Sequence, residues 1–438
     1  MQIRETDVFG VVGVGFGPSN LALAVALDES SRSRSEGPMG AMFLEREASF
    51  NWHRGMLLPS AKMQVSFLKD LATFRNPTSR FSFVSYLHDR GRLAKFVNNQ
   101  DFFPTRQEYH DYLEWAGSRI SSPVAYGLEV TAVRLPPRPD RDAPIDHLRV
   151  EAQAVGPGGG RKTFNARNVV ISTGLRPWLP AGVEPADDIW HSGEFLYRFG
   201  ACDRARLRRV AVVGAGQSAA EIVRFLYDAL PHATITAVLP SYGFSIADDT
   251  PFANEVFDPV AVDHFYHGSP RAKEAIWHYH KNTNYSVADD EVIRDLYQRY
   301  YDEDVKGSTR LSFLNLSRVV GVKRVGDDTR ITVDSLASEE SHHIHVDVLV
   351  CATGYDPMDP GDLLGELDDY CLRDEDGRYR VGRDYSISTH EQLQSGIYLQ
   401  GGTEQSHGLS SSLLSNIAVR SGEIVDSMFD RLTSAGPP

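Results

Sequence analysis

The chain has 438 residues, room for two or three domains, and 41% of them are hydrophobic, enough to bury a sizeable core. A formal charge of −14 without a long basic tract argues against nucleic acid or an anionic membrane as partner. No apolar run reaches the ~20 residues of a membrane span, the three cysteines form no CxxC pair and suit a reducing, cytoplasmic setting, and no metal site is expected.

The first apolar run begins at Val8 and is read as a strand, not as a signal peptide. It enters Val11-Val12-Gly13-Val14-Gly15-Phe16-Gly17-Pro18, and Leu21 to Leu27 follow as a helix. Such glycines let the backbone turn tightly and approach a pyrophosphate, which then rests on the amides and positive dipole end of the helix. Pro18 stands where the generic pattern has Gly, and a proline fits the first helical turn, where no amide partner is needed. A Ser/Arg-rich turn, Ser30 to Ser35, leads to a second strand, Ala41 to Glu45. Glu45 is placed to hold the ribose diol of an ADP group, later than the usual ~20-residue spacing because of that turn.

Residues 51–120 form no nucleotide-binding unit and are expected to be mainly helical, most clearly from Gln107 to Ala116. Strands follow around 124–135, then a Pro-rich loop (Pro136 to Pro144), a hairpin turned by Gly156 to Gly160, and the strand Asn168 to Ser172. A second fingerprint runs from Val210 to Ala219, with Gly214, Gly216, Gln217 and Ser218 before a helical pattern of Ile222, Phe225, Leu226 and Ala229. Helical material is expected between Ser269 and Tyr301. The strand Val346 to Ala352 is expected to return the chain to the first unit. A C-terminal helix, Leu413 to Phe429, is expected to open on Ser410-Ser411-Ser412. Cys351 and Tyr355 read as structural, and His407 as shaping the turn at Gly408, with general-base catalysis the lesser alternative.

One fingerprint is weak evidence. Two in one chain point to two nucleotides bound face to face, most economically a flavin and a pyridine nucleotide. The fold class that follows is α/β, with two Rossmann-like dinucleotide-binding domains and a smaller, mainly helical substrate-binding region. The expected division is 7–205 and 346–430 for the flavin, and 206–345 for the pyridine nucleotide, with a helical insertion around 250–305.

The strings GVGFGP and GAGQSA, KMQVSFLKDLATFRNP (Lys62 to Pro77), PFANEVF (Pro251 to Phe257), TNYS (Thr283 to Ser286), ATGY (Ala352 to Tyr355) and HGLSSSLLS (His407 to Ser415) together closely resemble the L-ornithine N5-monooxygenases. The resemblance covers roughly residues 7 to 430. It implies a flavin-dependent N-hydroxylase using FAD, NADPH and O2, acting on L-ornithine through a flavin 4a-hydroperoxide to give N5-hydroxy-L-ornithine for hydroxamate siderophores or related metabolites. The attacked amine must be neutral; at pH 7, from a pKa of ~10.4, that costs about 4.6 kcal/mol, and a carboxylate beside it would raise the cost.

Carried over position by position, the resemblance gives FAD to Glu45, Trp52, His53, Gln64, Val130, Ser412, Leu413 and Leu414, beside the first fingerprint. It gives the NADPH pyrophosphate to Gln217 and Ser218, and its ribose and nicotinamide to Asn284, Tyr285 and Ser286. Gln64, Asn284 and Arg106 would sit at the reacting centre, with Arg106 close to both cofactors, and Lys69, Asn254 and Ser415 would hold ornithine. Taken alone, Lys69 reads as a solvated surface charge, the two asparagines as turn or cap residues, and the serine run as an N-cap. A homotetramer is a further implication.

Alternatives stay open within the residues. No arginine follows Leu239-Pro240-Ser241-Tyr242 to clamp a 2′-phosphate, so NADPH over NADH rests on the resemblance, with Ser241 the nearest donor. Lysine or a diamine could replace ornithine, although a diamine has no carboxylate for Lys69. Monooxygenases acting on sulfur or ketones carry an FxGxxxHxxx(W/Y/F) linker; Ile189-Trp190-His191-Ser192-Gly193 lacks the glycine four residues before the histidine. A non-catalytic nucleotide-binding sensor would need the fingerprints but not the Lys69, Asn254 and Ser415 pocket.

Overall fold

Two parallel sheets, each begun by one fingerprint strand, organise the chain in a computed structural model that describes residues 7–31, 37–137, 143–325 and 328–434. Most of the Ser/Arg-rich turn and the middle of the Pro-rich loop lie outside the described residues. In the first sheet, β1 (Val8–Val14), β2 (Ala41–Glu45), β3 (Val124–Tyr126), β4 (Leu128–Arg134), β5 (Leu148–Ala154) and β6 (Arg161–Ile171) lie in the order β3-β2-β1-β6-β5-β4. β1 runs parallel to β2 and β6, while β5 pairs antiparallel with β6 across the glycine-rich hairpin. The helix α1 (Pro18–Ser30) is buried from Asn20 to Asp28. It is apolar nearly all round because the sheet covers one side and the C-terminal helix another.

The second sheet contains β7 (Ile189–His191), β8 (Arg209–Val213), β9 (Thr234–Val238), β10 (Leu311–Leu314) and β11 (Val348–Cys351), in the order β10-β9-β8-β11-β7. Its helix α3 (Gln217–Ala229) follows α2 (Arg106–Gly117) of the first unit in chain order. α2 forms as its periodicity predicts, and the Thr105 hydroxyl caps it by accepting from the Glu108 amide at 3.1 Å.

Four expectations need correcting. The strand at 346–352 does not return the chain to the first sheet: β11 lies between β8 and β7, with Cys351 opposite both Val213 and His191. A short apolar run buried on both faces fits either sheet, and periodicity cannot choose between them. The chain returns at β12 (Gly396–Leu399), parallel to β6. β7, assigned to the first unit by sequence, also joins the second sheet.

Residues 57–82 are irregular rather than helical. Buried Asp70 accepts hydrogen bonds from the amides of Ala72, Thr73 and Phe83 at 2.9, 2.6 and 2.7 Å and from the Thr73 hydroxyl. An aspartate that gathers local amides stabilises a turn at the expense of a helix.

At the C-terminus, Ser410–Ser412 belong to a short 3-10 turn, Leu413 is extended (φ −93°, ψ 159°), and α5 (Ile417–Ser434) starts only later; α4 (Asp290–Lys306) precedes it in the chain. Buried Arg420 donates to the Ser411 carbonyl, and the Ser412 hydroxyl donates to Glu404, which ties the serine run off as a separate loop. No helix among the described residues is long and apolar enough to cross a membrane, and none of their His, Cys, Asp and Glu side chains form a group suited to a metal ion.

Candidate active site

Both fingerprints open into one cavity of about 1900 Å³ between the sheets. Gly15 has φ 82°, and a Cβ there would collide with the Ser172 carbonyl at the end of β6. Gly214 repeats the arrangement with φ 134° against the Ala352 carbonyl at the end of β11. The two strand ends read Ser-Thr-Gly and Ala-Thr-Gly, so each fingerprint turns over the same kind of partner. Gly13 is equally tight, under the Phe43 ring, whereas Gly17 faces open space at the start of α1. That combination of packed turn and open helix N-terminus fits a dinucleotide pyrophosphate.

The cavity wall around the first fingerprint carries Pro18, Glu45, Trp52, His53, Gln64 and Val130. Glu45 is held at the end of β2 by the amides of Phe16 at 2.6 Å and Glu47 at 2.9 Å. His53 faces the cavity in a left-handed conformation, φ 51°, with its ring edge-to-face against Trp52 at 4.9 Å. The surrounding walls, then the Arg106 charge, push its pKa down, although the ring is exposed to the open cavity. Ser412, Leu413 and Leu414 also line the cavity. These residues fit a flavin dinucleotide: a close-packed loop for the pyrophosphate, an acid at the ribose position and an aromatic and aliphatic wall.

On the other side, Ser218 lines the cavity from the first turn of α3. Gln217 is there too, but both ends of its amide are engaged: Nε2 donates to Glu221 at 2.9 Å and Asp289 at 2.8 Å, and Oε1 accepts from the Asp289 amide at 2.7 Å. Lys69, Asn254, Asn284 and Ser415 line the same cavity. Lys69 sits in a turn, its amide bonded to the Ser66 carbonyl, with Nζ 5.8 Å from the Phe257 ring centroid. Burial pulls its pKa down against the opposing pull of Asp258, and no described carboxylate lies within ion-pair distance of it. The Asn254 amide donates to the Asp249 carbonyl at 2.6 Å, which turns its side-chain oxygen into an oriented acceptor.

A sequence model for "L-lysine 6-monooxygenase/L-ornithine 5-monooxygenase" matches residues 7–357. The chain belongs to that family. It is 40% identical to the L-ornithine N(5)-monooxygenase of Burkholderia cepacia over 92% of this chain and 90% of that one. Among solved structures, the ornithine N-hydroxylase KtzI of Kutzneria sp. 744, described with reduced FAD, NADP+ and L-ornithine, superposes with a TM-score of 0.93 at 60% identity, over 97% of this chain and all of that one. The L-lysine 6-monooxygenase of Pseudomonas syringae superposes at 0.80 with 28% identity, over 97% of this chain and all of that one.

Some family positions stand elsewhere than the sequence suggests. Neither Tyr285 nor Ser286 lines the cavity. Tyr285 packs against Trp277, with centroids 5.7 Å apart, and Ser286 has a left-handed backbone, φ 58°. Ser286 does lie against the second fingerprint, its Cα 3.9 Å from where a Gly216 Cβ would stand. Ser241 hydrogen-bonds the Gly243 carbonyl at 2.7 Å and is also outside the wall. Tyr355, read as structural, does reach the cavity, with its ring edge-to-face on His191 at 4.8 Å. His407 is 1% exposed and stacked on Tyr385 at 4.1 Å, with burial pushing its pKa down to about 4; it shapes the turn.

Sequence reasoning missed two carboxylates. Arg106 lines the cavity through an ion pair with both oxygens of Glu221, at 3.0 and 3.1 Å, and a bond to the Met56 carbonyl at 2.7 Å. Asp289 accepts from Gln64 at 3.2 Å as well as from Gln217. Glu221 lies one helical turn after Gln217 on an otherwise apolar helix face. That oddly placed acid was the available signal.

Proposed function

We propose that this family member hydroxylates the side-chain nitrogen of L-ornithine with FAD, NADPH and O2, giving N5-hydroxy-L-ornithine, NADP+ and water. The observation that carries the reading is Lys69: a half-buried ammonium with no carboxylate within ion-pair distance among the described residues, in a cavity that both fingerprints share. A carboxylate-bearing substrate supplies the missing partner, which favours an amino acid over a diamine. The likeness to the ornithine-bound KtzI at 60% identity, against 28% for the lysine enzyme, favours ornithine over lysine.

FAD, when bound, would supply the means of activating O2 with electrons from NADPH, one oxygen atom of O2 going to the amine and the other to water. The protein's own contribution is positional and electrostatic. Lys69 anchors the substrate carboxylate, and Asn254, Asn284 and Ser415 offer neutral hydrogen-bonding groups to the rest of the molecule. Neutral partners favour the ammonium form less than a carboxylate would, so they add less to the ~4.6 kcal/mol cost of deprotonating the amine. Asp248, also at the wall, has one carboxylate oxygen engaged by the Thr250 hydroxyl and amide at 2.8 and 3.2 Å.

In this reading the unit around the first sheet holds FAD, the unit around the second holds NADPH, and the segment 250–305 closes the substrate side. A cytoplasmic homotetramer serving a hydroxamate siderophore pathway completes the proposal. The deciding experiment incubates the yellow protein with NADPH, O2 and ornithine, lysine or putrescine and identifies products by mass. A 16-Da adduct on ornithine alone is expected; equal adducts on putrescine would overturn the substrate assignment.

A further inference from the structure

Asp289 is the N-cap residue of α4, yet its side chain makes no cap bond to the helix. Aspartate is among the best N-caps, and here it forgoes that bond. The carboxylate instead faces sideways, with Oδ1 accepting from Gln64 and Oδ2 from Gln217. Gln64 belongs to the irregular segment of the first unit and Gln217 opens the fingerprint helix of the second. A single carboxylate therefore spans the seam. Gln217 passes the connection to Glu221, which is 2% exposed and grips Arg106 at the start of α2 with both oxygens. Lys62, beside Gln64, reaches Glu291 in the first turn of α4 at 3.5 Å as well as Asp101 at 3.1 Å.

We propose that Asp289 and Glu221 are positioning residues: with Gln217 they form a hydrogen-bonded clasp that fixes Gln64 and Arg106 against the second fingerprint helix and so sets how the two nucleotide units face one another. The clasp offers every donor and acceptor on the Gln217 amide a partner across or along the seam, and it balances the Arg106 charge with a buried carboxylate. Breaking a buried pair of this kind leaves a charge uncompensated, and small misplacements of reacting partners carry large rate costs. The inference rests on the assignment of the second fingerprint to NADPH. It adds that Gln217 acts as a strut between the units, leaving Ser218 and the backbone amides to meet the pyrophosphate.

The test compares wild type with Asp289→Ala and Asp289→Asn. Anaerobic stopped-flow measures flavin reduction at saturating NADPH, and the long-wavelength flavin–nicotinamide charge-transfer absorbance reports the relative placement of the two rings. Amide hydrogen exchange over residues 287–290, read without cofactors, reports the Asp289 amide bond to Gln217. Asp289→Ala is expected to keep FAD and bind NADPH within threefold of wild type. Its reduction rate should fall about tenfold or more, with a weakened charge-transfer band and faster exchange at 287–290. Asp289→Asn, which keeps one acceptor but presents a donor to the other amide, should show the same effects at smaller size, and it carries the test if the alanine variant does not fold. Reduction within twofold of wild type with an unchanged band, in either folded variant, overturns the clasp. Loss of FAD binding would also overturn it, assigning Asp289 to the fold. Failure of wild type to be reduced by NADPH would instead sink the functional reading.

Discussion

Replacing Lys69 with alanine separates a substrate ligand from a surface charge. Among the described residues no carboxylate lies within ion-pair distance of this ammonium, which is partly withdrawn from water and lines the cavity with Asn254 and Ser415. A carboxylate paired with it in a closed pocket and then left alone would lose ~3–5 kcal/mol. A hydrogen bond to a charged group in a wetter site is worth ~1.5–3 kcal/mol. Lys69 is half-buried and the cavity is open, so a value near 3 kcal/mol is appropriate, or roughly a hundredfold in kcat/KM for ornithine. Putrescine lacks the carboxylate and should lose almost nothing, so the ornithine-to-putrescine preference should collapse towards one. The assay measures hydroxylated product by mass together with peroxide. Flavin reduction by NADPH should persist in the variant, with peroxide appearing in place of product. Ornithine hydroxylation within threefold of wild type, or an unchanged preference over putrescine, would refute the pocket.

Gly15→Val should give colourless protein, since its side chain would strike the Ser172 carbonyl from a left-handed backbone; a full FAD complement on purification would remove the flavin from the first loop. Gly214→Val, against Ala352, should keep the yellow colour and lose NADPH-driven reduction, and intact reduction would contradict the division of cofactors. Ser218→Ala should weaken NADPH by ~1.5–3 kcal/mol, a ten- to hundredfold change in apparent affinity, checked by titrating the rate of reduction. His407 makes stability fall in acid. Its folded pKa of about 4 lies below the unfolded 6.5, so the unfolded state binds the extra proton and stability is lost as pH falls from 6.5 towards 4. Urea unfolding midpoints of His407→Gln should lack that component between pH 6.5 and 4, and a slope equal to wild type there would show that another group is responsible.

Local chemistry was legible without a fold. The glycine fingerprints, an acid at the end of β2, and apolar strands leading into helices each leave a short local pattern, although the carbonyls that Gly15 and Gly214 turn over, those of Ser172 and Ala352, come from distant strands. The KMQVSFLKDLATFRNP string was legible as a family mark, yet its conformation was not. Asp70 gathers the amides of Ala72, Thr73 and Phe83, and the last of these lies thirteen residues on. The sheet that Val348 to Cys351 joins was equally hidden, since a buried apolar strand satisfies any slot of the right width, and only packing against β7 and β8 decides it. The serine run looked like a helix start until Arg420, from inside α5, took the Ser411 carbonyl and Glu404 took the Ser412 hydroxyl. The clasp was furthest from view. Gln64, Arg106, Gln217, Glu221 and Asp289 come from four separate stretches of chain, and each alone is an ordinary polar residue. Periodicity and capping are set by near neighbours along the chain, whereas a hydrogen-bonded seam depends on where the two nucleotide units meet. Tertiary structure alone brings those five side chains together.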